Sequence, residues 1–349
     1  MQKTQSKAPT AAYLGFAIVI ISTVIGAGFA SGREIVTFFC FYGKYSLIFA
    51  LLFGALMIWG IKNFFSFNHA RFSPFEKNFW AVSIFITEII SVSAMIAGLK
   101  STLAIIFGST LPFFILLFLC FVCLCFNISA LEKIGGLLLP ILIFFIVLLF
   151  VSRLSVASKE PINFTVAAGS PLAMFSFPLI YAGLNLLSLF PLCQSYKLSL
   201  APKAQKSSAI FSSIILSALV IMLIFITLTS GTAVADAEIP VLVYTGAYLN
   251  PLLVLAALAI IIGIITTLLS GGFILKNQLS PFIKNNFLLS ALIILAGYAL
   301  SLVGFASIVA SLYPVTGILG FSLAVRTGLP TKAKANQFSI AQPPTNTQK

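Results

Sequence analysis

Charge is scarce in this chain, and acidic charge most of all: the 349 residues hold 7 Asp and Glu against 20 Lys and Arg, and charged residues make up 8% of the whole. A soluble protein of this length needs a far more polar surface, so the water-soluble classes are excluded. The single histidine, His69, stands beside Arg71 and Glu76 in a polar loop and reads as surface. Cysteine is sparse and odd in number, which gives no disulfide framework. Cys120, Cys123 and Cys125 lie in an apolar run with no His or acidic partner at ligand spacing, so they read as packing residues. No G-x-x-x-x-G-K-[ST] loop occurs, which removes the sequence basis for a built-in ATP motor or an ATPase partner. The net charge of +13 is not gathered into basic and aromatic clusters on a folded domain, so it does not call for nucleic acid. Neither a catalytic constellation nor a cofactor motif is present, and the expectation is a protein that is not an enzyme.

What is abundant is apolar sequence: 60% of residues are hydrophobic, and the mean hydropathy is +1.13. A segment of about 20 apolar residues crosses about 30 Å of hydrocarbon. On that basis ten spans are expected, near 11–42, 45–61, 80–106, 111–128, 134–152, 170–191, 207–229, 250–275, 286–303 and 305–325. The first run is too long, and too closely followed by others, to be a cleaved signal peptide. With the N-terminus inside, fifteen basic residues fall on the inner side, among them Lys62, Arg71, Lys77, Lys133, Lys203 and Lys284. Lys44, Lys100, Arg153 and Lys159 fall outside, and Arg33 belongs to the first span. This positive-inside bias puts both termini in the cytoplasm, and it accounts for the net charge as a topology signal.

Five spans precede residue 153 and five follow residue 170. An odd number of spans per half makes the second half enter the membrane from the opposite side, the logic of an inverted-topology repeat. The expected organisation is a cytoplasmic tail at 1–10, a first five-helix repeat at 11–152, an outer linker at 153–169, a second repeat at 170–325 and a disordered cytoplasmic tail at 326–349.

The first span of each half carries helix-breaking residues. In the first half the run Gly26-Ala27-Gly28-Phe29-Ala30-Ser31-Gly32 precedes Arg33-Glu34. Small side chains let the backbone leave helical dihedrals and let a solute approach it, whereas the competing reading is a close helix-packing face. The ions that follow favour an aqueous or paired setting, since intramembrane charge is expensive. In the second half Pro178, Gly183 and Asn185 mark a second break. Tyr181 and Asn185, four apart, share a helix face and offer a hydroxyl and an amide to one ligand. Here the competing reading is a kinked span whose Asn bonds across the bundle. Paired breaks of this kind point to a midplane site in a secondary transporter.

Glu88 lies inside the third span, beside a stripe of Ser83, Thr87 and Ser91. It reads either as a structural carboxylate bonded across helices or as a proton-coupling group. In the eighth span, Thr266, Thr267 and Ser270 with Gly263, Gly271 and Gly272 gather hydroxyls that, with carbonyls freed by the first break, suit a sodium ion.

The run from Ile25 to Ile35, the Tyr181-Ala182-Gly183-Leu184-Asn185 segment, Ile239-Pro240, Thr266-Thr267, and Gly304-Phe305 through Leu312-Tyr313-Pro314 with Gly317 together resemble the YkvI-like bacterial membrane proteins. The resemblance covers nearly all of the apolar region. That family is similar to the amino acid, polyamine and organocation transporters. What the resemblance implies is an all-α integral membrane fold of about ten helices, a five-plus-five inverted repeat of leucine-transporter type with broken first and sixth helices. It further implies a bacterial cytoplasmic membrane. Ala27 and Gly28 match positions of solute and ion contact, and Thr266 and Thr267 match a sodium-site hydroxyl pair. Arg33 departs from the uncharged glutamine of that motif.

The expected function is ion-coupled alternating-access transport of a small polar solute, an amino acid first. The solute would meet Gly28, Phe29, Ser31, Gly32, Tyr181 and Asn185, and a sodium ion would meet Gly26, Ala27, Thr266, Thr267 and Ser270. Arg33, Glu34 and Glu88 are candidates for gate or proton site, with proton coupling the alternative to sodium. Two further alternatives stand: a membrane sensor or scaffold that keeps the fold without flux, and a nucleobase or organic-cation transporter. On a cysteine-free background, a cysteine placed near Lys203 is expected to react with an impermeant thiol reagent only from the cytoplasmic side, and one near Asp236 only from outside. Labelling of the Lys203 region from outside would overturn this topology.

Overall fold

The structure, a computed structural model, describes residues 9–109, 111–126, 130–157 and 171–329. Of the tails expected at 1–10 and 326–349, residues 1–8 and 330–349 lie outside the described residues, as does most of the 153–169 linker, while Pro9 and Thr10 belong to the first helix and Arg326 to Gly328 to the last. In chain order the helices are α1 (Pro9–Val24), α2 (Ala27–Ser31), α3 (Arg33–Phe39), α4 (Ser46–Ser66), α5 (Pro74–Phe107), α6 (Leu111–Cys125), α7 (Ala130–Ala157) and α8 (Pro171–Tyr196). They continue with α9 (Pro202–Thr229), α10 (Thr232–Asp236), α11 (Pro240–Tyr248), α12 (Leu253–Leu279), α13 (Asn286–Ser301), α14 (Phe305–Ser311) and α15 (Tyr313–Gly328). Among the described residues, 6 helical stretches are long and apolar enough to cross a membrane: Ser46–Ser66, Pro74–Phe107, Phe175–Tyr196, Pro202–Thr229, Asn250–Leu279 and Phe305–Gly328. Shorter apolar helices occupy Tyr13–Val24, Leu111–Cys125, Leu139–Ser155 and Asn286–Ser301. The protein is an all-helical, multi-pass membrane protein. Leu51, Phe118, Leu258 and Leu295 are exposed on the outer faces of these helices, where hydrocarbon rather than water would meet them.

Polar residues mark the two ends of the bundle. At one end, α5 opens on a capping box in which Ser73 accepts from the Glu76 amide and the Glu76 carboxylate accepts from the Ser73 amide. The same carboxylate takes a 2.6 Å bond from Arg326 at the end of α15. Gln194, in the last turn of α8, donates to the Phe64 carbonyl in the last turn of α4, and Lys197, just past α8, donates to the Phe67 carbonyl just past α4. At the other end Arg153 of α7 donates to the Thr229 hydroxyl and carbonyl that close α9, and Ser101 of α5 donates to the Glu238 carboxylate.

Lipid is as apolar as the helices it surrounds, so helix association rests on close packing and polar contacts rather than on escape from water. The tightest seam joins α8 to α15. A Cβ added to Gly183 would run into the Gly317 carbonyl oxygen and the Phe321 amide, and one added to Gly320 would run into the Gly183 carbonyl. Elsewhere α12 lies along α5, and α4 lies between α8 and α9.

This seam corrects the expected second break. The sixth apolar segment is not interrupted: α8 runs from Pro171 to Tyr196 as one α-helix with Pro178 and Pro191 inside it. Proline removes one ladder hydrogen bond and bends a helix, and membrane helices tolerate the loss when neighbours enclose them. Gly183 serves backbone approach between helices, the packing use of small residues. A second difference is that residues 230–249, expected as a simple outer loop, contain α10 and α11, with Leu242 and Tyr244 buried. The last segment is also divided, with α14 and α15 meeting at Leu312.

Gly320→Val is expected to lower the stability of the detergent-solubilised protein by about 3 kcal/mol, the upper end for overpacking against atoms that cannot move aside. Thermal unfolding monitored by size-exclusion chromatography measures it. Gly15→Val, where a Cβ meets nothing within 4 Å, is the control and stays near the native value.

Candidate functional site

The helix breaks where the glycines begin. The Ile25 amide still bonds the Ile21 carbonyl at 2.8 Å, but the Gly26 amide, which a continuing helix would give to Ser22, turns to the Val24 carbonyl at 2.8 Å. Gly26 itself is extended, with φ −81° and ψ −176°. The Ser22 carbonyl thereby leaves the helix ladder. The short α2 follows, ends at Gly32 with φ +82°, a left-handed conformation suited to glycine, and gives way to α3.

Arg33 and Glu34 begin α3 and diverge, because neighbours in a helix do not share a face. Arg33 reaches the segment around α10, where its Nη1 donates to the Ala235 and Ala237 carbonyls at 3.2 and 3.1 Å. Glu34 turns inward. Its carboxylate lies directly over Gly28, where any Cβ would collide with it, and its Oε2 accepts a 2.8 Å hydrogen bond from the Tyr181 hydroxyl of α8. Tyr181 is fully buried, with its ring 5.2 to 5.3 Å from those of Phe38, Phe39 and Phe53. A donor held this rigidly fixes the carboxylate as well.

The second carboxylate is treated differently. Glu88 of α5 is 6% exposed. Its Oε2 lies 3.1 Å from where a Cβ on Gly271 of α12 would stand, so that glycine makes room for it. No hydrogen bond or ion pair to the Glu88 side chain is formed among the described residues, and the carboxylate faces a cavity of about 170 Å³. Ser22 and Thr23 of α1, Ser91 of α5, Ser188 of α8 and Thr266, Thr267 and Ser270 of α12 bring hydroxyls to its wall. A second cavity of about 60 Å³ abuts the first across Thr23, Ser91, Ser188 and Thr267, and Gly26, Glu34, Asn185 and Tyr313 face it.

Thr267 joins the break to this hydroxyl wall. Its Oγ1 lies 3.4 Å from where a Cβ on Gly26 would stand. Thr266 and Thr267 both donate to the Gly263 carbonyl, at 3.0 and 2.9 Å, so their oxygen lone pairs remain free for a cation. Among the described residues no group of three or more His, Cys, Asp and Glu could hold a metal. Hydroxyl and carbonyl oxygens are ligands for a hard cation rather than a transition metal.

The residues singled out in the sequence thus divide. Gly26, Glu34, Glu88, Asn185, Thr266, Thr267 and Ser270 face the two cavities. Gly28 lies under the Glu34 carboxylate, and Ala27 begins α2. Phe29 is wholly buried, while the Ser31 hydroxyl bonds the Gly28 carbonyl at 2.9 Å. Gly32 packs on Pro240 and Val241 of α11. The Tyr181 hydroxyl is held by Glu34, and the Asn185 amide donates to the Tyr181 carbonyl at 2.8 Å. In the polar stripe of α5, Ser83 and Thr87 bond carbonyls of their own helix, and Ser91 alone joins Glu88 at the larger cavity. Ser22, Thr23 and Ser188 were not singled out, and Tyr313 only as part of the resemblance. Ser22 and Thr23 stand within one helical turn before Gly26, and Ser188 lies one turn beyond Asn185 on α8, which is the signal that would have found these three.

No family model matches the chain, and no curated protein matches it either.

Gly28→Ala is expected to displace the Glu34 carboxylate and break its bond to Tyr181. The cost is about 1.5–3 kcal/mol, the range for a hydrogen bond to a charged group. Adding Glu34→Ala to Gly28→Ala should return part of that loss, because the two changes act on one contact. Thermal unfolding of the two single variants and the double variant checks the non-additivity.

Proposed function

We propose that the protein is a secondary transporter of a small polar solute, an amino acid in the first instance, working by ion-coupled alternating access. The observation that carries this reading is the oxygen-lined cavity pair at the α1 break, deep in an apolar helix bundle. Backbone outside the helix ladder and unbonded carboxylates are tolerated within a membrane where they line a water-filled or ligand-filled cavity. One water takes about 10–15 Å³ of such space, so the cavity of about 170 Å³ has room for a solute on the order of ten non-hydrogen atoms.

The proposed architecture is the five-plus-five inverted repeat, with ten crossings, both termini in the cytoplasm and a bacterial cell membrane as its site. Of the first and sixth helices, the first is broken and the sixth is represented by the continuous α8. The resemblance to the YkvI-like proteins and to amino acid, polyamine and organocation transporters supports this arrangement.

The coupling ion in this reading is sodium. Thr266 and Thr267, with carbonyls at the end of α1, would hold it, and the closeness of Thr267 to Gly26 fits that role because a single methyl on Gly26 would occupy the space between them. A bound ion supplies positive charge and ties α1 to α12. The chain's own residues do the rest. The walls orient the solute by hydroxyl and amide groups, and the apolar bundle excludes water. In this reading the bonds from Arg33 to the Ala235 and Ala237 carbonyls, and from Ser101 to Glu238, would belong to a gate at one end of the bundle. Exchange of access would require those bonds to open while others form at the opposite end. Ligand and ion are coupled when each favours the same arrangement of α1 against α12.

Thr267→Ala is expected to weaken the sodium dependence of solute uptake about tenfold in proteoliposomes, with protein incorporation unchanged. Uptake indifferent to sodium but abolished by collapse of the proton gradient would replace sodium with a proton as the coupling ion. A purified protein that binds solute and never moves it would reject the transporter reading.

A further inference from the structure

Among the described residues, two carboxylates and no cationic side chain face the cavity pair. Arg33 is turned away to the Ala235 and Ala237 carbonyls, and Lys276 donates to the Leu124 carbonyl at 2.5 Å. Glu34 has a fixed partner in Tyr181, whereas Glu88 has none among the described residues and is more than nine-tenths buried. A buried carboxylate left without a partner costs several kcal/mol. Evolution toward stability alone would replace it with an apolar residue, yet here Gly271 is shaped to admit it. The missing counter-charge is therefore looked for in what enters the cavity.

We infer that Glu88 is the anchor for the ammonium group of the solute, which makes a primary amine the obligatory feature of the ligand. An ammonium has three N–H donors and no acceptor. Glu88 takes one, and the hydroxyls of Ser91, Ser188 and Ser270, which form no hydrogen bond within the described protein, stand on the same cavity to take the others. Thr266 and Thr267 line the same cavity as Glu88, and its volume of about 170 Å³ is far more than one dehydrated alkali ion fills, so an amine has room at Glu88 beside an ion at the two threonines. Ile274 and Gly271 leave an apolar side for a short carbon chain. The carboxylate of an amino acid is not required by this anchor, and amines with and without it share the recognised group.

The inference rests on the transporter reading only for the idea that the cavity receives a solute, so the test is equilibrium binding without flux. Full-length protein in nanodiscs, in sodium buffer, is titrated calorimetrically with L-alanine, L-alaninamide and n-butylamine. Each is paired with the analogue carrying hydroxyl in place of amine: lactate, lactamide and n-butanol. At least one amine should bind at least tenfold more tightly than its hydroxyl partner. Glu88→Gln should remove that preference and leave the elution profile unchanged, while Glu88→Asp should retain part of it. Equal binding of amine and hydroxyl partners, no binding of any amine to the native protein, or an undiminished preference in Glu88→Gln would overturn the assignment. Should Glu88→Gln fail to fold, the native amine-to-hydroxyl ratios decide alone. Amine binding without flux in proteoliposomes leaves the anchor standing and the transporter reading lost; flux of a solute that lacks an amine does the reverse.

Discussion

A carboxyl group inside an apolar bundle must be given room, hydrogen-bond partners or a counter-charge, and two of the few acidic residues in this chain impose that requirement at adjacent points. Glu34 obtains room from Gly28 and a donor from Tyr181. Glu88 obtains room from Gly271 and a wall of hydroxyls. Much of the interior follows from satisfying these groups. The break at Gly26 brings Ser22 and Thr23 to the cavity, the aromatic box of Phe38, Phe39 and Phe53 holds Tyr181, and the long contact between α5 and α12 brings the serines and threonines into register.

The two carboxylates differ in what they leave open. One is fixed on both sides and can hold α3 against α8 whichever ligand is present. The other has unused acceptor capacity directed at empty space. Groups that are held give a site its shape, and groups that are left over give it its appetite for a ligand. A different strategy governs the seam of α8 and α15, where carbonyls rest directly against glycine. Such a contact has no slack, so these two helices move together or not at all.

Features that depend on a single stretch of chain were legible in the sequence. Apolar length against bilayer thickness gave the helices, and the dense run from Gly26 to Gly32 gave the first break, since no neighbour is needed for small residues to weaken a helix. Pro178 and Gly183 were misread because the same residues serve a break or a close contact. Only Gly317 and Gly320, far along the chain, decide between the two. The bond from Tyr181 to Glu34 spans a separation of 147 residues and has no local signature. Ser188 and Thr23 are ordinary residues on their own helices and acquire meaning from facing the same cavity. The small helices α10 and α11 were passed over because their composition is neither apolar enough for a span nor broken enough for a plain turn.

The hold of Arg33 on the Ala235 and Ala237 carbonyls has a mechanical consequence. Those carbonyls belong to the piece of chain that continues through α11 and a short turn at Asn250–Leu252 into α12. The guanidinium acts as a tie-rod between the lower-numbered end of α3 and the root of the helix that carries Thr266, Thr267 and Ser270. A tilt of α3 is transmitted to that helix through two hydrogen bonds and a run of covalent backbone, so the two sides of the cavity are geared to each other from above as well as through whatever lies between them.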